Sequence, residues 1–338
     1  MNPQDYKTAE APPGASVHGI QGRRSSMEDE TFYAAWYVNS SNPTIPISHK
    51  KVTVYGVMDG HGGAQASKFA KKWLPWMLAH YIDPTTSENT IKRQITDSFL
   101  RLQNFMRQYS DYHKGIFEHQ GTTVSMFLLT HDRLFCINAG DSRCVLCRGT
   151  RVKPLSRDHK PTDPTEYRRI YSLGGAVSQE RNDVPRVEPI GLATSRSLGD
   201  LDSRHRVDGQ TLPPGTYLVS PIPDIVTMSR SRIPNTDVAI LACDGLWDVM
   251  SNTNACRLAS HVGVDKAARA LVATAYRDGS TDNISVMVVP MGEPAEISSE
   301  GIYYSERLGA AVINPLTGRP IKYMGPTHQR LLEALRGQ

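Results

Sequence analysis

Several acidic side chains could bind metal ions, because each adjoins an apolar segment with the composition of a β-strand. Six acids share this placement: Glu28, Asp29, Asp59, Asp141, Asp244 and Asp282. In an antiparallel sheet, the start of one strand lies beside the end of its neighbour, so acids at strand ends can gather at one edge. Crowded carboxylates raise each other's pKa unless cations neutralise them, and an all-oxygen donor set favours Mg²⁺ or Mn²⁺.

The clearest of these positions is the turn that follows the strand-like segment 52–58. Asp59, Gly60 and His61 place a carboxylate, an open backbone carbonyl and an imidazole within three residues. The carboxylate and the carbonyl suit a hard cation, and the imidazole can face a substrate. Asp-Gly is also common in ordinary turns, so the residues alone leave solvated turn acids as the alternative.

The composition argues against several classes of protein. The chain has 338 residues, 39% of them hydrophobic, and a formal net charge of +4, which is ordinary for a globular protein. It has no dense run of Lys and Arg and no window of 18 apolar residues, so we expect neither nucleic-acid nor membrane partners. The polar N-terminus lacks the apolar core of a secretory signal, which predicts a cytoplasmic or nuclear location.

The five cysteines are predicted to be core thiols. Cys144 and Cys147 have the spacing of a zinc or redox pair, but they lie in an apolar strand-like segment and no matching Cys or His pair follows. An odd number of cysteines in a chain of this length also argues against a disulfide framework.

Apolar periodicity predicts the elements that must position the acids. A helix is expected over 64–81, where Pro75 should bend or divide it, and a second should begin at the N-cap Ser87. Further helices are expected from Thr162 or Asp163 to about residue 173, and as a pair within 252–278. Strands are predicted at 31–38, 52–58, 122–130, 133–140, 143–150, 152–156, 217–220, 224–230, 237–245 and 284–289.

This order of elements indicates an α+β fold with antiparallel sheets rather than repeated βαβ units. Two stacked sheets with helices outside them would bury the strands on both faces. Residues 1–16 have the composition of a disordered segment, and the strand pattern fades after residue 290. We therefore predict one domain over 17–290 and a C-terminal extension over 291–338, with a short terminal helix at 327–336.

Eight short motifs resemble those of the type 2C metal-dependent protein serine/threonine phosphatases, the PPM family. In chain order they are RSSMED (24–29), VMDGHGG (57–63), GTTV (121–124), AGDSR (139–143), DHKP (158–161), LATSRSLGD (192–200), LACDGLWDV (241–249) and STDN (280–283). They come in the order that the family uses and cover about residues 17–290. The resemblance implies an αββα sandwich: two stacked, mainly antiparallel sheets flanked by helices, with a metal centre at one end.

The resemblance also implies a ligand set for two Mg²⁺ or Mn²⁺ ions per site. Asp59 would bridge both ions. Glu28 and the carbonyl of Gly60 would complete the coordination of one ion, and Asp244 and Asp282 that of the other. A water or hydroxide that bridges the ions would attack phosphorus in line, and no covalent phosphoenzyme would form.

Five other residues match positions with supporting roles in the family. Asp141, alone or together with Asp244, resembles the position of a weaker third ion, while Asp29 and Asp248 resemble acids that hold waters or neighbouring ligands. Arg24 matches the arginine that clamps phosphate oxygens, which its forked guanidinium suits. His61 matches the general acid that protonates the departing serine or threonine oxygen.

Other matched segments have narrower expected roles. His159 and Arg196 are expected to organise turns near the site, and 201–216 lies where the family has a variable flap beside the cleft. The basic side chains Arg204, His205 and Arg206 on this flap could favour acidic phosphosites, although a solvated loop is the simpler reading.

The predicted activity is the hydrolysis of phosphoserine and phosphothreonine in phosphorylated proteins, by a monomer with a signalling role. One alternative is a pseudophosphatase or adaptor that binds a phosphoprotein or a kinase. Its mark would be lost metal ligands, whereas all the matched ligands are present in this chain. A metabolic phosphatase that hydrolyses small phosphate esters is a third interpretation.

Overall fold

A computed structural model describes residues 14–37, 49, 51–149, 151–181 and 183–292, together with the backbone of three short strands between residues 304 and 322. The strands are β1 (Ser16–Ile20), β2 (Glu30–Tyr37), β3 (Lys51–Met58), β4 (Gly60–His61), β5 (Gly121–Thr122), β6 (Val124–Leu129), β7 (Arg133–Ala139), β8 (Arg143–Arg148), β9 (Arg151–Pro154), β10 (Ala176–Ser178), β11 (Arg186–Glu188), β12 (Leu198–Gly199), β13 (Asp224–Ser229), β14 (Val238–Ala242), β15 (Ile284–Pro290), β16 (Tyr304–Ser305), β17 (Gly309–Ile313) and β18 (Pro320–Lys322). The helices are α1 (Gln65–Tyr81), α2 (Glu88–Tyr112), α3 (Pro164–Ser172), α4 (Asp244–Trp247), α5 (Asn252–Val262) and α6 (Val264–Arg277).

Two antiparallel five-stranded sheets form the centre of the molecule. The first has strand order β13-β7-β6-β3-β2, and the second has strand order β1-β15-β14-β8-β9. The smaller sheet β12-β5-β4 joins the end of β3 to two distant segments of the chain. The predicted α+β class, with two stacked antiparallel sheets between helices, is confirmed.

Strand β3 shows why the central strands have no polar face. Val52, Val54 and Met58 pack into the cluster formed with α1 and α2, while Tyr55 and Val57 pack into the cluster between the two sheets. Because successive side chains of a strand point to opposite faces, both sets must be apolar in a four-layer sandwich. All five are at most 3% exposed.

Helices α1 and α2 cover the outer face of the first sheet. The hydroxyl of Ser87 accepts a hydrogen bond from the backbone N–H of Thr90, which confirms the predicted N-cap of α2. The apolar stripe of α2 is fully buried and consists of Ile91, Ile95, Phe99, Leu102 and Met106. Burying each of these side chains stabilises the fold by about 1.5–3 kcal/mol.

Helix α1 continues through Pro75 as one element, so the proline does not divide it. The residues on both sides of the proline are buried, among them Trp73, Leu74, Met77 and Leu78. The stabilisation from this burial offsets the loss of the backbone hydrogen bond that a proline removes from a helix interior.

Helices α5 and α6 cover the outer face of the second sheet, as the predicted pair within 252–278. Ala255, Ala259, Ala268 and Leu271 pack against the apolar side of β14 and β15. No helix among the described residues is both long and apolar enough to cross a bilayer.

Helix α3 and the segment between α3 and β13 share a small core of their own. Ile170, Val187, Leu212, Leu218 and Val219 form this cluster, which we call the flap core. The predicted strand at 217–220 is wrong, because Leu218 and Val219 are buried in the flap core and the segment contributes only an isolated bridge at Ser220. Burial, rather than a strand ladder, explains its apolar character.

The chain termini differ from the prediction in two further ways. Strand β1, which was not predicted, begins at Ser16 and pairs with β15 from Ser16↔Val288 to Ile20↔Ile284, so residues 14–16 are not part of a disordered segment. Strands β16, β17 and β18 form a small antiparallel sheet in a region where no strand was expected. Residues 1–13 and the predicted helix 327–336 lie outside the described residues.

The prediction of five core thiols is wrong for two of them. Cys147 on β8 and Cys256 on α5 form a disulfide, with their Cα atoms 5.4 Å apart, and this bond ties an outer helix to the second sheet. Cys136, Cys144 and Cys243 are buried free thiols, as predicted. Cys147 and Cys256 are separated by 109 residues in sequence, so spacing could not reveal the pairing.

Candidate metal centre

Acids from both sheets meet at one end of the sandwich. Asp59 ends β3 in the first sheet, whereas Asp244 follows β14 and Asp282 precedes β15 in the second sheet. The pKa of Asp59 lies well above its usual range, first because the carboxyl group is buried and then because Asp244, Asp29, Asp141 and Asp282 surround it. The structure therefore brings together the acids that the sequence placed at strand ends.

Neighbouring carboxyl groups are affected in the same way. Burial, with the charges of Asp141 and Asp248, raises the pKa of Asp244 to about 7. Burial is also the main reason that the pKa of Asp29 rises to about 6, and it raises the pKa of Asp248 as well. Such a cluster carries more negative charge than its surroundings neutralise, which is the electrostatic condition for binding cations.

Asp29 lies at the back of this cluster. The residue is 4% exposed, and neither of its carboxylate oxygens has a hydrogen-bond partner. A carboxylate oxygen of Asp29, one of Asp59 and the Sγ atom of Cys243 lie within 4.8 Å of one another. Because buried carboxylates normally have partners, the unpaired oxygens fit a centre that is completed by cations or by the water around them.

The Gly60 position explains why the turn after β3 needs a glycine. A Cβ atom at this position would lie 2.4 Å from the carbonyl oxygen of Glu28 and 2.8 Å from the hydroxyl of Ser67. The same Ser67 hydroxyl donates a hydrogen bond of 2.5 Å to the Glu28 carbonyl. The close approach of these two segments places the backbone of Gly60 directly beside Glu28.

Glu28 is held by the loop that precedes β2 and by the turn before β15. Its carboxylate accepts hydrogen bonds from the Ser26 hydroxyl at 2.7 Å and from the Gly63 N–H at 3.0 Å. Its own N–H donates to Oδ1 of Asn283 at 2.8 Å. The Asn283 amide also donates to the carbonyls of Gln21 and Ser26, so this asparagine, which the sequence did not single out, fixes the loop beside Asp282.

Arg24 lies at the edge of the acidic cluster. Its Nη2 atom donates to Oδ2 of Asp282 at 2.6 Å, and the arginine side chain is 60% exposed. This hydrogen bond, together with the charges of Asp282, Asp244 and Asp59, raises the pKa of the guanidinium. Arg24 therefore combines contact with the centre and access to solvent, which a phosphate clamp requires.

Asp141 has a partner that the sequence reasoning did not name. Nζ of Lys160 lies 2.5 Å from Oδ2 of Asp141. Burial alone would lower the pKa of this lysine, but the charge of Asp141 raises it, so the ammonium stays with the carboxylate. Lys160 lies in the matched motif DHKP (158–161), and its place in this motif was the one available signal.

His61 is likewise paired with a residue that was not singled out. Its Nε2 atom lies 2.8 Å and 2.9 Å from the two carboxylate oxygens of Asp200. Burial lowers the pKa of the imidazole, but the charge of Asp200 and this hydrogen bond outweigh burial and raise it. Asp200 is the last residue of the LATSRSLGD motif, which gave it no role by itself.

His159 and Arg196 organise the turns near the centre, as predicted. Nδ1 of His159 accepts a hydrogen bond from the N–H of Gly140 at 3.1 Å, next to Asp141. Arg196 binds Glu166 at 2.6 Å and Asp224 at 2.8 Å. These contacts fix the β7–β8 turn and attach α3 to the first sheet.

The basic side chains of the flap already have partners within the protein, and two of the three are paired with acids. Arg204 lies 3.7 Å from Glu118, and Arg206 lies 3.0 Å from Asp208. Nδ1 of His205 contacts the hydroxyl of Thr211. The simpler reading, in which these residues belong to a solvated loop, fits these contacts.

Comparisons with known proteins show the family to which this chain belongs. The family model described as "Protein phosphatase 2C" matches residues 14–284. "Protein phosphatase 1B" of Mus musculus is 32% identical over 307 residues, which are 85% of this chain and 72% of that protein. "Protein phosphatase 1A" of Bos taurus is 32% identical over 302 residues, which are 86% of this chain and 74% of that protein.

The fold is also similar to solved structures. The serine-threonine phosphatase 2C from Toxoplasma gondii superposes with a TM-score of 0.66 at 22% sequence identity, over 83% of this chain and 98% of the other. The family model spans every motif and every acid of the centre, from Arg24 to Asp282. The chain therefore belongs to the protein phosphatase 2C family of metal-dependent protein serine/threonine phosphatases.

Proposed function

We propose that the acidic centre of this chain holds the Mg²⁺ or Mn²⁺ ions on which the protein serine/threonine phosphatase activity of its family depends. The observation that carries the proposal is the crowding of carboxylates around Asp59, which raises the pKa of that buried group well above its usual range. The donors are carboxylate and carbonyl oxygens, so they fit hard divalent cations.

We assign the ligands as the family resemblance implies. Asp59 would be shared by two ions, with Glu28 and the Gly60 carbonyl on one side and Asp244 and Asp282 on the other. Bound ions would supply Lewis-acid activation of water and neutralise charge at the phosphoryl group. The unpaired oxygens of Asp29 support a role in holding waters at the back of the centre.

A third, weaker ion is proposed at Asp141. Because Lys160 already neutralises this carboxylate, an ion at Asp141 must compete with a tethered ammonium group. This competition supports a lower affinity there than at Asp59. Binding isotherms with Mn²⁺ should show two tight sites and one weak site, and Asp141→Asn should remove only the weak one.

Arg24 and His61 would act on the phosphoryl group and the leaving oxygen. The exposed fork of Arg24 can bind two phosphate oxygens, and its contact with Asp282 places it at the edge of the centre. His61 would give a proton to the departing serine or threonine oxygen, a step usually worth about 10²–10⁴-fold in rate. Both roles are proposals that rest on these positions.

The decisive experiment measures phosphate release from a phosphothreonine peptide with Mn²⁺ and with EDTA. We expect metal-stimulated release that EDTA abolishes, and near-complete loss in Asp59→Asn with the fold retained by circular dichroism. Asp97→Asn, which changes an exposed carboxylate on α2, is the matched control and should behave like the wild type. Full release of phosphate in the presence of EDTA would contradict the proposal.

The same assay separates the alternative functions. No observation in the described residues or the comparisons favours a pseudophosphatase, whose signature would be metal binding without turnover. Faster turnover of sugar phosphates than of phosphopeptides would instead favour a metabolic phosphatase. Action as a monomer and a cytoplasmic or nuclear location stay predictions, and the Cys147–Cys256 disulfide is more typical of oxidising compartments.

A further inference from the structure

The pairing of His61 with Asp200 has the features of a built contact. The side chain of Asp200 is 2% exposed, whereas that of His61 is 25% exposed. Both oxygens of Asp200 lie within 2.9 Å of Nε2 of His61, and the hydroxyl of Ser197 donates a further hydrogen bond to Oδ2. A buried carboxylate with these partners accepts hydrogen bonds only, so Nε2 must carry a hydrogen.

The backbone around Asp200 is arranged to bring the carboxylate to this position. Asp200 has φ of 45°, in the left-handed region that non-glycine residues rarely adopt. Its N–H donates to the carbonyl of Gln120 at 2.9 Å. The preceding Gly199 is held by both amide atoms of the buried Gln103, at 2.7 Å and 2.8 Å. Such a conformation persists only where the surroundings enforce it.

Gly121 is the residue that lets the two side chains meet. In the sheet β12-β5-β4, Gly121 pairs with Gly199 on one side and with His61 on the other. A Cβ atom on Gly121 would lie 2.0 Å from Oδ2 of Asp200 and 2.6 Å from Nε2 of His61. The space between the carboxylate and the imidazole therefore exists because residue 121 has no side chain.

His61 follows Asp59 by two residues and Gly60 by one, so the imidazole borders the acidic centre. Since Nε2 is bound to Asp200, Nδ1 is the ring nitrogen left for the leaving group. When the P–O bond breaks, its electron pair goes to the departing oxygen, which takes the Nδ1 proton. The ring then keeps its remaining hydrogen on Nε2, and this is the tautomer that Asp200 holds.

We propose that Asp200 is the positioning residue for His61, holding the ring with Nε2 towards the protein and Nδ1 towards the leaving oxygen. The inference rests on the proposed phosphatase function and on His61 as its proton donor. It explains three otherwise unrelated features: a buried aspartate in left-handed backbone, a glycine at the centre of a short sheet and a hydroxyl at Ser197.

The test compares substrates that need a proton donor with one that does not. Asp200→Asn should lower kcat for a phosphothreonine peptide by about 10- to 100-fold, as expected when a partner that orients a histidine is lost. It should leave kcat for p-nitrophenyl phosphate nearly unchanged, because nitrophenolate departs without a proton. In a His61→Ala background, Asp200→Asn should have no further effect on either substrate.

Two other variants make the outcome specific. Gly121→Ala keeps the side chains of His61 and Asp200 but separates them, so it should reproduce the selective loss of kcat for the peptide. If Asp200→Asn does not fold, Gly121→Ala alone tests the positioning role of Asp200. Asp202→Asn is the matched control, because it removes the neighbouring pair between Asp202 and the exposed His119, 2.7 Å apart, and should match the wild type.

Three results would have different meanings. Equal losses on both substrates, or a further loss in the His61→Ala background, would show that Asp200 acts on the fold or the metal centre and would overturn the inference. Absence of peptide hydrolysis by the wild type would instead contradict the proposed function. A selective loss that disappears without His61 supports the positioning role.

Discussion

Replacing Asp244 with asparagine should stabilise the metal-free protein at neutral pH. The pKa of this buried carboxyl group is about 7, compared with the ordinary value of 3.8, because of burial and of Asp141 and Asp248. The difference corresponds to about 4 kcal/mol by which the folded state disfavours the charged form. Asparagine carries no charge, so Asp244→Asn should raise the free energy of unfolding by up to about 4 kcal/mol near pH 7.5.

The gain should depend on pH with a definite sign. Between the unfolded pKa of 3.8 and the folded pKa of about 7, the folded wild type holds a proton on Asp244 that the unfolded chain has lost. The contribution of Asp244 to the free energy of unfolding of the wild type therefore rises as the pH falls from about 7 to 3.8. Near pH 5 the advantage of the variant should shrink to about 2 kcal/mol.

The assay is urea unfolding in EDTA near pH 7.5 and near pH 5, followed by circular dichroism. Asp97→Asn is the matched control, since its exposed carboxylate should give no gain at either pH. A gain that is equal at both pH values would mean that the amide packs better, not that charge repulsion is relieved. An Asp244→Asn protein no more stable than the wild type near pH 7.5 would refute the electrostatic reasoning.

The remaining predictions concern stability. Cys147→Ser removes a disulfide that closes a loop of about 109 residues, so urea unfolding without reductant should show a loss of about 3–5 kcal/mol, and dithiothreitol should lower the wild type to the same level. Glu166→Gln leaves buried guanidinium groups without their carboxylate and should cost about 3–5 kcal/mol in urea unfolding. Because Arg196 and Arg169 overcome burial and lower the pKa of Glu166 to about 2, its contribution is present above pH 4.5 and should be lost as the pH falls towards 2. Ser87→Ala removes the N-cap of α2, and its urea midpoint should fall by the equivalent of about 1 kcal/mol.

Much of the centre could be predicted because its acids lie where strands begin and end. Asp59, Asp244 and Asp282 each adjoin an apolar run, and antiparallel pairing brings such positions to a common edge. The layered fold was equally accessible, since β3 and β14 are apolar on both faces. The local pattern of apolar and acidic residues determines these features, so they could be predicted from the sequence.

The partners of these residues could not be predicted in the same way. Asp200 lies in an irregular segment 139 residues from His61, and their contact depends on a missing Cβ atom at Gly121. Lys160 approaches Asp141 only because the β7–β8 hairpin and the following loop fold back together. Such contacts follow from tertiary structure, which no local period encodes.

The loop between β1 and β2 has a consequence for the synthesis of the protein. Arg24 contacts Asp282, and Glu28 contacts Asn283, across 258 and 255 positions of the chain. A growing chain on the ribosome would hold most of the first sheet well before these partners emerge. These contacts therefore cannot form until translation has passed residue 283, so this loop is among the last parts of the acidic centre to be fixed.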